Sequence, residues 1–197
     1  MDDHVEGAAA VDAGAAVVAG SFSGTVVFGE GGENETELTA SGDSDLFLAK
    51  YEPDGALSWV IAPGGAGEDW ARAVAASEDG SSVLVGVFVD SIQIGDTAFK
   101  QTELTSASGT GAFAAKFDSD GGLVWVTEME FPDSGLLSMY TTMNAAIAPD
   151  GSTYLSGAFA GTCVIGAGDP SEVSLSSELG DHPPPGYLDR LLVKIAP

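Results

Sequence analysis

Asp45-Leu46-Phe47-Leu48-Ala49-Lys50-Tyr51 returns as Gly111-Ala112-Phe113-Ala114-Ala115-Lys116-Phe117, and again as Asp189-Arg190-Leu191-Leu192-Val193-Lys194-Ile195. A heptapeptide met three times with its lysine always in sixth place marks an internal repeat, and self-similarity of this kind bears on architecture before local propensity does. Two further anchors keep pace with it. Gly20-Ser21-Phe22 matches Gly86-Val87-Phe88 and Gly157-Ala158-Phe159, while Phe28-Gly29 matches Ile94-Gly95 and Ile165-Gly166, both series at offsets of 66 and 71 residues. The third heptapeptide falls later because Gly180-Asp181-His182-Pro183-Pro184-Pro185-Gly186 intervenes, a stretch with the composition of a surface loop. Three of the four lysines, Lys50, Lys116 and Lys194, thus share one repeat position.

Each unit reads as strand, turn, strand, a short extra hairpin, strand, turn, strand. In the second unit the strands are expected at 71–77, 82–88, 112–117 and 123–128, with a variable stretch to about Ser108 and turns at Glu78-Asp79-Gly80 and Asp118-Ser119-Asp120-Gly121. The predicted fold is all-β: one repeat domain, 1–197, of three antiparallel units of about 66 residues, near 4–69, 70–137 and 138–197. These units read as consecutive propeller blades, with a closed three-fold β-prism-like fold as the alternative. Glu6 to Ala19 is rich in alanine, but Gly7, Asp12 and Gly14 interrupt it, so two strands around a turn fit better than a helix.

Glu52-Pro53-Asp54-Gly55 predicts a three-residue hairpin loop, since Pro suits the first corner of a type I turn and Gly55 the left-handed position of a G1 bulge. Pairing Glu52 with Ala56 sets Trp59 opposite Ala49, on a face shared with Phe47 and Tyr51. The second unit then carries Phe113, Ala115, Phe117 and Trp125 on the same face, and both tryptophans are expected in the core. The other face holds Leu48 with Lys50, Ala114 with Lys116 and Leu192 with Lys194, lysines that read as snorkelling side chains covering a neighbouring unit. Gly121 marks the turn equivalent to Gly55.

Composition bounds the function. Thirty acidic residues against six basic ones give a formal net charge of −24, which repels phosphate backbones and argues against nucleic-acid binding. Solubility explains such a charge, and divalent cations or a basic partner are the functional alternatives. No apolar run is long enough to span a membrane as a helix, and Met1-Asp2-Asp3-His4 lacks the basic start of a secretory signal. The single cysteine, Cys163, lies in a strand-like context and reads as a buried thiol.

A search for chemistry returns little. Asp133-Ser134-Gly135 matches one half of an aspartic-protease pair, but no second triplet accompanies it. Gly64-Gly65-Ala66-Gly67 lacks the lysine of a phosphate loop and reads as an interblade loop. Asn34-Glu35-Thr36 has the form of a glycosylation sequon without other support. Asp118, Asp120, Asp43 and Asp45 offer oxygens to calcium, although their spacing falls short of a complete loop. No acid pair stands out for glycoside hydrolysis. The expected function is therefore a non-catalytic interaction or structural module without a cofactor, with a calcium-assisted carbohydrate or surface binder and a hydrolase as alternatives.

At these anchors the chain resembles the bacterial β-propeller repeats labelled SBBP, found in myxobacterial-type surface proteins. Their Gly-x-Phe, Phe-Gly, Asp-Ala-Phe-Val-Ala-Lys, Asp-Pro-Asp-Gly, Trp progression is followed by Gly20 to Phe22, Phe28-Gly29, Asp45 to Lys50, Glu52 to Gly55 and Trp59. The second unit follows it through Gly86 to Phe88, Ile94-Gly95, Ala112 to Lys116, Asp118 to Gly121 and Trp125. The resemblance implies propeller blades and an extracellular or envelope setting, with no catalytic residues to carry over, and the partner expected of an interaction module is a protein or a surface glycan. Three blades close no ring by ordinary geometry, so the expectation is further blades upstream or self-association.

Overall fold

The computed structural model describes residues 3–96, 100–131, 143–159, 161–166, 172–176 and 189–196. It is all-β, 69% strand, with several antiparallel sheets of which one curls into a half-barrel, and no α-helix among the described residues. Strands β1 (His4–Ala10) and β2 (Ala16–Phe22) flank the expected turn. A hairpin of β3 (Thr25–Phe28) and β4 (Thr36–Thr39) follows, then β5 (Asp45–Tyr51) and β6 (Leu57–Ile61), and the first sheet runs β1-β2-β5-β6. The middle strands β7 (Trp70–Ala76), β8 (Ser82–Asp96), β9 (Lys100–Phe117) and β10 (Leu123–Glu130) are hydrogen-bonded in that order. Strands β11 (Asn144–Ile147), β12 (Thr153–Phe159) and β15 (Asp189–Ile195) form a third sheet. Between the last two, β13 (Thr162–Ile165) and β14 (Val173–Ser176) make a hairpin that extends the middle sheet to six strands by pairing with β10. The extra hairpin expected in the second unit is present and continuous with its core strands, because β8 and β9 stay paired from Ser82 to Asp96 with a shift around Asp90, where φ is +62°.

One register recurs. Val17 pairs with Lys50, Val83 with Lys116 and Tyr154 with Lys194; Gly20 pairs with Phe47, Gly86 with Phe113 and Gly157 with Leu191. The glycine anchor has a steric cause: a Cβ on Gly20 would run into the Phe47 ring, and one on Gly86 into the Phe113 ring. Each aromatic ring lies across the strand over the space its partner leaves empty. The Phe-Gly anchor has a backbone cause, since Gly29, Gly95 and Gly166 all hold positive φ, at 65°, 95° and 66°, where a side chain brings strain.

Apolar clusters fill the spaces between successive sheets. Leu46 and Leu48 of the first sheet meet Leu84, Phe88, Phe113 and Phe117 of the middle one, all fully buried. The opposite middle face, with Val83, Val85, Ala112 and Ala114, meets Met143, Leu155, Cys163 and Leu191. Phe22, Phe28, Phe47 and Leu57 form a third cluster, in which Val26 and Leu38 of the β3–β4 hairpin cover the outer face of the first sheet. Middle strands therefore bury both faces, and their apolar residues run consecutively instead of alternating.

The tryptophan register differs from the expected one. The turn is as read, with Glu52 N–H on Ala56 O and Gly55 at φ +85°, but a second bulge follows at Ser58 and pairs Trp59 with Lys50 while Val60 takes Ala49. The same irregularity at Val124 pairs Trp125 with Lys116. One extra residue moves each ring to the opposite face of the sheet. Trp59 consequently packs with the Leu46 and Leu48 cluster instead of with Phe47, and Trp125 with the Val83 cluster instead of with Phe113, each half-buried.

Candidate functional site

The sheets have two unlike ends. At one, the Asp-Gly turns gather and the lysines reach them. Lys50 Nζ donates to Ser119 O at 3.3 Å, and Trp59 Nε1 donates to the same carbonyl at 2.9 Å, so one turn of the middle sheet takes both side chains of the first. Gly121 lies flat under the Trp59 ring, where a Cβ would crowd the indole. Lys116 Nζ donates to Gly151 O at 3.3 Å, in a turn of the third sheet. Lys194 instead turns back on its own sheet, 3.8 Å from the Asp150 carboxylate and 5.6 Å from the Tyr154 ring centroid.

A groove of about 540 Å³ opens beside Lys116, lined by Ser77, Glu78, Asp79, Pro149 and Asp150 among others. Its aspartates are engaged in their own turns. Asp79 accepts from the Ser77 hydroxyl and from Ser81 N–H; these bonds hold its carboxyl at about 2. Asp54, Asp118 and Asp150 likewise accept the backbone N–H of Ala56, Gly122 and Ser152. Such caps are the ordinary local use of a turn aspartate's carboxylate.

At the other end two carboxylates are buried. Asp45, at the start of β5, is 2% exposed, and Asp69, just before β7, is 0% exposed. Ser41 N–H donates to Asp45 Oδ2 and Val89 N–H to Asp69 Oδ1, while Asp45 Oδ1 and Asp69 Oδ2 have no well-formed hydrogen bond among the described residues. Gly65 backbone contributes to both, and a Cβ on Gly64 would overlap the Asp45 carboxylate. Ser44 and Asp69 lock the two segments together, Asp69 N–H donating to Ser44 O and Ser44 Oγ to Asp69 O. Burial first, and the nearby Asp45 charge last, pushes Asp69 up to about 7; Asp45 is raised by burial as well. Glu128 on β10 is pushed to about 7 by burial and by Glu130, and its Oε1 lies beside Gly111, the residue that stands where the first heptapeptide has Asp45.

Of the four calcium candidates, Asp43 and Asp45 precede or begin β5, whereas Asp118 and Asp120 lie near its far end, where Lys50 reaches Ser119. The structure thus does not gather them into one set. No cluster of three or more metal-ligating side chains occurs among the described residues. The buried Asp69 and the half-buried Glu128, which the sequence reading passed over, had no signal to distinguish them among thirty acids. Cys163 is fully buried, its thiol pushed up to about 12 by burial. Asn34 Nδ2 donates to Leu57 O, at 2.9 Å, which ties the sequon asparagine to the first sheet. The Asp133 triplet and the His182 loop lie outside the described residues. No helix is long and apolar enough to cross a membrane among the described residues. Neither a protein-family model nor a curated protein matches the chain.

Proposed function

We propose that the chain is a run of SBBP-like propeller blades, at about 4–69, 70–137 and 138–197, acting as a non-catalytic interaction module for a protein or surface-glycan partner on the extracellular side. The observation that carries this reading is the shared register of Val17 with Lys50, Val83 with Lys116 and Tyr154 with Lys194. A handover between units supports it: Gly64 bonds reciprocally to Gln93, and at the equivalent place Glu130 pairs with Val164. Rigid sheets with turns at their ends present loops for recognition, and fold alone names no chemistry. Asp45 and Asp69 lie beneath the surface, where a substrate does not reach them.

The test is a panel of immobilised glycans and basic proteins run alongside a panel of hydrolase substrates. Saturable binding without turnover is expected. Turnover abolished by Asp45→Asn or Asp69→Asn would replace this reading with the hydrolase. The orphan oxygens Asp45 Oδ1 and Asp69 Oδ2 favour a second reading, a calcium-assisted binder. A ligand bound only by the folded state raises the melting midpoint, so a rise with added calcium, lost in Asp45→Asn, would select that reading.

A further inference from the structure

We propose that the face of β12 and β15 around Leu192 and Lys194 is a docking surface for a second copy of this chain, which seats on it the outer face of its own β2 and β5. The inference rests on the blade reading, because the repeat specifies what belongs at this place. Leu192 occupies the position of Leu48 and Ala114. Those two are 0% exposed, each under the following sheet, while Leu192 is 73% exposed. Lys50 and Lys116 donate to carbonyls of the sheet that covers them, and among the described residues Lys194 meets only Asp150 and Tyr154 of its own.

The complementary face is on the same chain. What covers Leu48 is the middle-sheet face with Leu84, Phe113 and Phe117, all 0% exposed. The equivalent residues of the first sheet are Val18, Phe47 and Tyr51; there the β3–β4 hairpin buries Phe47 to 6% exposed, as the second unit's own hairpin helps bury Phe113, but Val18 and Tyr51 remain half-buried. Both faces are thus less fully covered than their counterparts at the internal seams, and they are complementary by the rule those seams obey. In the docked pair Lys194 leaves Asp150 for the turn carbonyls near Pro53 and Gly14 of the second copy, the positions of Ser119 and of Gly80 and Gly151. The contact is head-to-tail, so two or more copies close a ring or run on. A charge of −24 on each copy opposes the approach, and salt screens that opposition.

Sedimentation velocity over a wide concentration range, at low and high salt, reads the mass, which is expected to rise above one chain and to do so more readily in high salt. Leu192→Asp places a charge on an exposed site and is expected to hold the chain as a monomer with the melting curve of the dilute parent. The variants Lys194→Cys and Pro53→Cys, each made with Cys163→Ala so that it carries one thiol, mixed and treated with a short bismaleimide, are expected to cross-link to each other and not each to itself. A single-chain mass throughout, association that survives Leu192→Asp, or a cross-link between two Lys194→Cys copies would overturn the proposal. The double variant Lys50→Cys with Ser119→Cys separates this from the blade reading. Its internal cross-link without the intermolecular one defeats the docking alone, and failure of both defeats the blades.

Discussion

The seam between the first and middle sheets and the seam between the middle and third are built from the same positions and finished differently. In the first, Lys50 and Trp59 converge on Ser119 O. In the second, Lys116 finds Gly151 O, while the Trp125 indole N–H is buried without a partner among the described residues. The hydrophobic part of a seam needs only facing apolar residues, and both have it. The polar part needs a carbonyl at a set place, and the third sheet supplies one turn there among the described residues where the middle sheet supplies two. Packing is therefore the shared element of these seams, and hydrogen bonding is what varies.

The largest expected effect tests the packing side. Leu48→Ala removes a fully buried side chain from the first seam and is expected to cost about 2–5 kcal/mol, as truncations of buried leucines do. Leu192→Ala changes the same repeat position where it is exposed, and a change within about 0.5 kcal/mol is expected in dilute monomer. Denaturant midpoints of the two variants decide the matter. Equal losses would mean that Leu192 is covered in solution, and equal silence would mean that the first seam is not a core.

The next test compares the two ends of the sheets through pH. Asp69 has its folded value raised to about 7 from 3.8, so its contribution to stability is fully present below about 3.8 and is lost as pH rises through about 7. Glu128 acts in the same direction. Asp79, lowered to about 2, contributes in the opposite sense, present above its ordinary value and lost as pH falls through about 2, and its exposure makes that contribution small. Thermal midpoints are expected to fall between about pH 4 and 8 in the parent, and Asp69→Asn is expected to flatten that slope while leaving the acid limb unchanged. An unaltered slope in Asp69→Asn would assign the dependence to other groups.

The glycine and lysine anchors were legible in the sequence because each answers one local demand: Gly20 a ring across the strand, Gly29 a positive φ, Lys50 an acceptor beyond an apolar face. The tryptophan faces were not, because a bulge at Ser58 or Val124 adds one residue without any glycine or proline to announce it. The pairing of Asp45 with Asp69 was hidden for another reason. It depends on Ser44 meeting Glu68 across a parallel bridge between segments that no periodicity links. Long-range polar contacts of this kind leave no pattern in composition, and thirty acids mask the two that matter.

The smallest effect probes the unequal polar part of the seams. Trp59→Phe keeps most of the apolar area and removes the indole donor, leaving Ser119 O with Lys50 alone, so a loss of about 1 kcal/mol is expected. Trp125→Phe removes a donor that is buried and unpartnered among the described residues. Deleting such a group relieves a desolvation cost, and the variant is expected to be neutral or slightly more stable than the parent. The two substitutions are chemically identical, both rings are half-buried, and both sit opposite a lysine. Their difference in denaturant midpoint therefore isolates the hydrogen bond from the packing. A loss at Trp125 as large as that at Trp59 would show that the second indole has an acceptor in solution, and the third sheet would then finish its seam as the middle sheet does.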